Sequence, residues 1–395
     1  AVKAGTLEAL EELWLFNCKL GEKGAIALLE ALALRAAASR LRVVVLSGNE
    51  LGGRGAGALA AAAKAGALDV LEELRWTPSR TSGCRNASSA RRAPRRSFEA
   101  LAQRAGASRL RLLGLNFNVL GRRGTSALAA ATKAGVLDAL EELYLNNCQL
   151  GEEGAAALLE ALAERTGSLR LRKLHLSGNA LGGRGIAALA AAAKAAALDA
   201  LEELYLCNCQ PGEEGVAAIF EAFAQRSGAS PLRCLDLDET ALGGRGAGAL
   251  AAIVKSGVLV ALEELYLENC QLGEEGAAAL LEALAQRAGA SPLRKLRLDG
   301  FEALAEHAGA SRLRKVILSG NVLGGRGAGA LASAAKAGVL DGGCLTRLRL
   351  AALHQKPERQ LATSSVGSRV ASAPVAPYPN SRNCTCSDAS SATRT

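Results

Sequence analysis

One pattern, Leu-x-x-Leu-x-Leu-x-x-(Asn/Cys)-x-Leu, returns along most of this chain at intervals of 30 and 31 residues. It starts at Leu10, Leu41, Leu110, Leu140, Leu171, Leu201, Leu232, Leu262 and Leu313, with Leu71, Leu293 and Leu345 opening damaged copies. From Leu110 to Leu293 the spacings alternate 30, 31, 30, 31, 30, 31, and two unit types take turns. One runs from Leu140 through Cys148 to Gly151-Glu-Glu-Gly154; the other runs from Leu171 through Asn179 to Gly182-Gly-Arg-Gly185. Self-similarity at such a period implies a stack of short supersecondary units, so the 395 residues carry no simple domain count.

Each unit spells out a strand, a turn and a helix. Leu171, Leu174 and Leu176 switch to alternation, which puts them on one side of a short strand and their neighbours on the other. After Leu181 a glycine-flanked turn leads to a helix in which Ile186, Leu189 and Ala193 share a face. A single unit cannot bury that face, so each repeat is expected to depend on its neighbours. Strands about 4.8 Å apart beside helices that need about 8–10 Å predict a curved stack: an α/β solenoid, or horseshoe, with a concave parallel sheet and outer helices.

The residue closing each signature is expected to point inward: Cys18, Asn49, Asn118, Cys148, Asn179, Cys209, Thr240, Cys270 and Asn321. Cysteines on this ladder fall two repeats apart, about 10 Å, beyond the roughly 7 Å that a disulfide spans. They read as buried free thiols, which implies a reducing compartment, cytoplasmic or nuclear. Zinc is not expected, because Cys207-x-Cys209 and Cys384-x-Cys386 lack the second half of a tetrahedral set.

The net charge of +9 sits in two irregular stretches. Residues 77–97 carry six arginines and no acid, and residues 354–395 contribute the remaining three charges. The repeats themselves are neutral, whereas a phosphate-tracking groove needs its basic charge on the folded face, so no nucleic-acid partner is expected. No apolar stretch is long enough to span a membrane, and the chain reads as soluble and monomeric. The opening residues lack a signal-peptide layout and resemble the tail of a repeat near Lys133–Gly135, so the sequence is expected to begin within an array.

The period breaks twice. Between Leu71 and Leu110 the spacing is 39, and the basic segment 77–97 replaces a turn and a helix start. Between Leu293 and Leu313 it is 20, as if 41 residues of a repeat pair were missing. A retained intron or misjoined exon explains both, and a basic regulatory loop around Arg95-Arg96-Ser97 is the alternative. The expected organisation is therefore a solenoid over 1–353, interrupted at 77–97 and truncated near 293–313, followed by a disordered tail over 354–395.

Features that mimic an active site dissolve on inspection. Gly55-Ala-Gly57-Ala-Leu-Ala60 fits the dinucleotide fingerprint, but the same string recurs at 246–251 and 327–332, so it belongs to the repeat turn. The histidines His175, His307 and His354 lie in unrelated contexts. No catalytic residue, cofactor or metal is expected.

Outward strand positions carry the functional expectation. Acidic and basic units alternate, so Glu141 is expected beside Arg172, Glu142 beside Lys173, Glu263 beside Arg294 and Glu264 beside Lys295, each pair contributing about 0.2–1 kcal/mol. Glu152 and Glu153 suit the positive end of a helix, whereas Arg184 and Arg245 at the same place need neighbouring glutamates to offset them. Trp14, Tyr144, Tyr205 and Tyr266 share one outward position, with Phe16 and Phe117 nearby and His175 in the same row. Aromatics on a concave face are typical binding hot spots, so these residues with Glu142, Glu203 and Glu264 are the candidate partner site.

With its signature, its alternating unit types and its strand, turn and long helix, the chain resembles the ribonuclease-inhibitor type of leucine-rich-repeat protein over nearly all of Leu10 to Leu353. The resemblance implies a horseshoe that grips a protein partner on its concave sheet and acts as a scaffold without enzymatic activity. The architecture is also similar to the repeats of the Ran GTPase-activating protein, which implies, as the alternative, activation of a Ran-like small GTPase.

Overall fold

Leucines at the inward strand positions leave three-residue strands little choice but to stack. The computed structural model describes residues 10–34, 40–49, 70–77, 108–165, 169–225, 228–273 and 293–298, positions 276, 279, 280, 283 and 284, and the backbone of 315–319 and 347–351. Twelve strands form one sheet in strict chain order, every neighbouring pair parallel. They are β1 (Glu12–Trp14), β2 (Val43–Val45), β3 (Glu73–Arg75), β4 (Leu112–Gly114), β5 (Glu142–Tyr144), β6 (Lys173–His175), β7 (Glu203–Tyr205), β8 (Cys234–Asp236), β9 (Glu264–Leu267), β10 (Lys295–Leu298), β11 (Lys315–Ser319) and β12 (Arg347–Ala351). Among the described residues six helices alternate with them: α1 (Gly21–Leu34), α2 (Gly121–Lys133), α3 (Gly151–Glu164), α4 (Gly182–Lys194), α5 (Gly212–Ala224) and α6 (Gly243–Ser256). The architecture is an α/β solenoid. Contacts divide the chain into units of 1–353 and 354–395, the second lying outside the described residues together with 78–107.

The apolar core runs between sheet and helices. Leu143, Leu174 and Leu204 from the strands and Leu145, Leu176 and Leu206 just beyond them are almost wholly buried, as are Leu158, Leu159, Leu189, Ala192 and Phe220 from the helices. Small residues let the helices stack closely. A Cβ placed on Gly215 would lie 2.7 Å from Ile186 Cγ2, so the last glycine of the Gly-Glu-Glu-Gly turn is where α5 rests on α4. The recurring Gly-Ala-Gly-Ala-Leu-Ala string lies at a helix start. The copy at 246–251 forms the first turns of α6, while the copies at 55–60 and 327–332 lie outside the described residues.

The corner residues from Asn49 to Cys270 face inward as expected, while Asn321 lies outside the described residues. Asn179 Nδ2 donates to the Leu145 and Leu176 carbonyls (2.8 and 2.6 Å), and its Oδ1 accepts from the Cys148 and Leu150 amides (2.9 and 3.3 Å). The Cys148, Cys209 and Cys270 thiols donate to the carbonyls of Leu115, Leu176 and Leu237 in the preceding repeats, at 3.0–3.1 Å. None of the three is in a disulfide, and burial pushes the thiols of Cys148 and Cys209 up to about 12, so those two stay protonated and unreactive. Cys18 departs from the expected burial: it is exposed, because β1 has no preceding strand among the described residues.

Helix starts solve their polarity across repeats. No side chain of the cap residues Leu150, Leu181, Pro211 or Leu242 bonds the first turn, and α4 and α6 have no acid of their own there. Glu152 Oε1, at the start of α3, accepts the Arg184 amide of α4 at 2.8 Å, and Glu213 of α5 does the same for the Arg245 amide of α6. The approach needs Gly182 (φ +63), where a Cβ would sit 2.6 Å from Glu152 Cδ. The neighbouring glutamates thus offset Arg184 and Arg245 by bonding their backbone amides.

Charge pairing on the sheet has a direction that differs from the expectation at one point. Arg42, Arg111, Arg172 and Arg233 each reach forward to Glu72, Glu141, Glu202 and Glu263 of the following strand, with closest N···O distances of 2.6–2.8 Å. Glu141 therefore pairs with Arg111 and not with Arg172, since one guanidinium occupies both its oxygens. Glu142–Lys173 (3.4 Å), Glu263–Arg294 (3.7 Å) and Glu264–Lys295 (2.5 Å) do form. Neither break in the period interrupts the sheet: β3 pairs with β4 across the 39-residue spacing, and β10 with β11 across the 20-residue one, where Lys295 falls beside Lys315.

Replacing Asn179 with alanine orphans the Cys148 and Leu150 amides and the Leu145 carbonyl in a dry corner, while the Leu176 carbonyl keeps the Cys209 thiol. At about 1–3 kcal/mol for each group left unpaired, partly relieved by relaxation, the loss should be on the order of 3 kcal/mol in urea denaturation. A Glu160→Ala control, on the exposed side of α3, should lose less than about 1 kcal/mol.

Candidate functional site

Between β4 and β10 the register lays the outward side chains in columns across the strands. The first runs Leu112, Glu142, Lys173, Glu203, Cys234, Glu264, Lys295; the second runs Gly114, Tyr144, His175, Tyr205, Asp236, Tyr266, Arg297. The sheet thus brings together Tyr144, His175, Tyr205 and Tyr266 with Glu142, Glu203 and Glu264, as the spacing implied. Trp14 occupies the same column but stands on β1, separated from Tyr144 by Val45, Arg75 and Gly114. It is 58% exposed, as are Phe16 (64%) and Phe117 (38%) to their own degrees, and its indole donates to Glu12 (3.0 Å).

The tyrosines are not free-standing. Tyr144, His175 and Tyr205 stack in sequence, with ring centroids 4.4 and 4.0 Å apart and the second pair nearly parallel. The hydroxyls of Tyr144 and Tyr266 donate to Glu142 and Glu264 on their own strands (2.6 and 2.7 Å), which fixes each ring across the face. Tyr205 breaks the rule. Its glutamate, Glu203, is held by Lys173 (3.3 Å), and the Tyr205 oxygen instead accepts the Cys234 thiol (3.3 Å). His175, pressed between rings, has its pKa lowered by burial and stays neutral at physiological pH, its Nε2 buried and unbonded, 3.8 Å from Glu203. A ring stack of this kind contributes about 0.5–1.5 kcal/mol per pair, so part of the tyrosine repetition is structural.

Beside this stack lies a cluster that the sequence pattern did not single out. Asp236 and Asp238, alternate residues of one strand end, both turn outward and are more than nine-tenths buried. Asp236 Oδ1 accepts the Asp238 amide (3.0 Å), and Asp238 Oδ1 accepts the Glu268 amide (2.7 Å). Arg297, 59 residues on, donates to Asp238 Oδ2 (2.7 Å), lies 3.3 Å from Glu268, and places its guanidinium carbon 5.3 Å from the centroid of the Tyr266 ring. Burial, with Asp238 alongside, raises the Asp236 carboxyl from 3.8 to about 7. The Leu-Asp-Leu-Asp alternation marks both acids as outward, but only the register shows that Arg297 reaches them.

Among the described residues no group of three or more His, Cys, Asp or Glu is placed to hold a metal, and no helix is long and apolar enough to cross a membrane.

The Leucine Rich repeat family profile matches residues 39–60, 140–159, 170–190, 261–281 and 311–332, and three of these intervals carry β5, β6 and β9 of this face. This chain is a leucine-rich-repeat protein. No curated protein matches it significantly. The repeats make it a protein–protein interaction scaffold, and proteins of this family are in general binding scaffolds, not enzymes.

Asp236 gives a pH signature. Its folded pKa lies above its unfolded value, so its ionisation opposes folding once the pH exceeds 3.8, and the penalty is complete above about 7. Removing the charge in Asp236→Asn should raise stability at pH 8 relative to wild type by up to about 4 kcal/mol, and by nothing at pH 3.5. Urea titrations of both proteins at the two pH values measure the difference directly. A gain independent of pH would show that the carboxylate is not strained.

Proposed function

We propose that this scaffold binds a protein partner on the outer, concave face of its sheet, as a monomer in the cytoplasm or nucleus. The binding surface centres on Tyr144, His175, Tyr205 and Tyr266, with Glu142, Glu203, Glu264 and, toward the first strand, Trp14. The observation that carries this reading is the ring column itself: rigid, hydrogen-bonded at its rim and half-open to solvent. Such pre-organised aromatics give large contact area at little entropic cost to a partner that covers them. The alternation of unit types supports the ribonuclease-inhibitor-like type. Buried thiols outside any disulfide at Cys148, Cys209 and Cys270 support a reducing compartment.

A photo-crosslinking side chain placed at Tyr144 tests the face, with the same group at Glu160 on the exposed side of α3 as the control. Irradiation in cells should trap a discrete protein from position 144 and not from 160. Trapping from 160 alone would move the binding surface to the helices and end the proposal.

A further inference from the structure

The chemistry of this face narrows the kind of partner group that it takes, an inference that rests on the binding role proposed for it. From β5 to β10 the carboxylates are short of cations. Lys173 is shared by Glu142 and Glu203, and Arg297 is shared by Asp238 and Glu268. Asp236 is left over: among the described residues no cationic side chain forms an ion pair with it. It lies between Tyr205 and Tyr266 in the strand register. The chain itself shows what such a setting accommodates, because one step along the sheet Arg297 faces the Tyr266 ring while pairing with Asp238. The Tyr205–Asp236–Tyr266 step offers the same two components, ring and carboxylate, with a second ring added. Strands β7 and β9 stand about 10 Å apart, so a cation midway lies about 5 Å from each, inside the range in which ring faces attract it.

We propose that the partner's anchor is a cationic side chain, lysine or arginine, seated between the rings of Tyr205 and Tyr266 and paired with Asp236. Burial favours the match: a carboxylate in a poorly hydrated site gains more from a cation than an exposed one, and it rejects a neutral or acidic side chain. The Tyr144–His175 end of the column differs: its rings are already stacked on each other, and both of its carboxylates, Glu142 and Glu203, contact a cation, Lys173. The partner is therefore a protein with a protruding basic residue, and the aromatic column beside it supplies contact area.

The chain has four tyrosines, so ring-labelled tyrosine gives four resolvable NMR signals in the full-length protein. The probes are acetyl-Gly-Arg-Gly-amide and acetyl-Gly-Lys-Gly-amide, with acetyl-Gly-Gln-Gly-amide as the neutral control, at constant ionic strength. The expected result is a saturable shift of Tyr205 and Tyr266 with the basic peptides, little change at Tyr144, and no response to the glutamine peptide. Asp236→Asn should weaken the response about tenfold or more, with an unchanged Tyr144 signal reporting an intact fold. If that variant does not fold, Tyr205→Leu, read at Tyr266, should show the same weakening. Equal shifts with the neutral peptide, no shift at all, or full binding by both variants would overturn the anchor. Those outcomes leave crosslinking from position 144 untouched, so they separate a wrong anchor from a wrong binding face.

Discussion

The turn after each strand leaves carbonyls and amides pointing into an apolar interior, and a buried polar group without a partner is worth about 1–3 kcal/mol against the fold. A single inward side chain per repeat meets this demand. Asn179 serves four backbone groups in two repeats, and Cys148, Cys209 and Cys270 each satisfy one carbonyl of the repeat before. Because all but one of these bonds cross a repeat boundary, the Asn179 to Leu176 bond being the exception, they hold the corners in line. The strands, only three residues long in most repeats, inherit their register from the corners more than from their own ladder. The leucine core and the columns on the opposite face follow from that register.

The fold was legible because its cause is periodic. Inward leucines, a corner residue and a glycine-bounded helix start recur at one spacing, and the physics that makes one unit makes all of them. Legibility ended where a residue's surroundings depend on position in the stack. Cys18 has the same place in its unit as Cys148, yet it is exposed. Glu141 lies between two arginines in adjacent units, and sequence order alone gave no reason for Arg111 to claim it over Arg172. The continuity of the sheet across both breaks was equally unreadable, since strand pairing depends on the ends of the connections and not on their lengths.

The candidate site was legible in its tyrosines and not in its charges. Tyr144, Tyr205 and Tyr266 announce themselves by recurring at one position in a chain poor in aromatics. Their detailed roles differ, however. His175 turns two of them into a stack, Cys234 takes the hydroxyl of one, and Arg297 covers a ring of the third. Each difference comes from a residue in a neighbouring unit, so it becomes visible only when the columns are assembled. Asp236 and Asp238 looked like ordinary variation until burial gave one of them a pKa of about 7.

The glutamates that reach from one helix to the amides of the next give the array a grain. A unit with Gly-Gly-Arg-Gly at its helix start is completed by the unit before it, while a unit with Gly-Glu-Glu-Gly brings its own acids. The transferable module is therefore a pair, about 61 residues by the spacing of the sequence, and not the single repeat. Genes that lengthen or shorten by unequal exchange would keep such an array sound only in steps of two. The same arithmetic gives protein engineers a rule for grafting: cut before an acidic unit, and carry its basic neighbour with it.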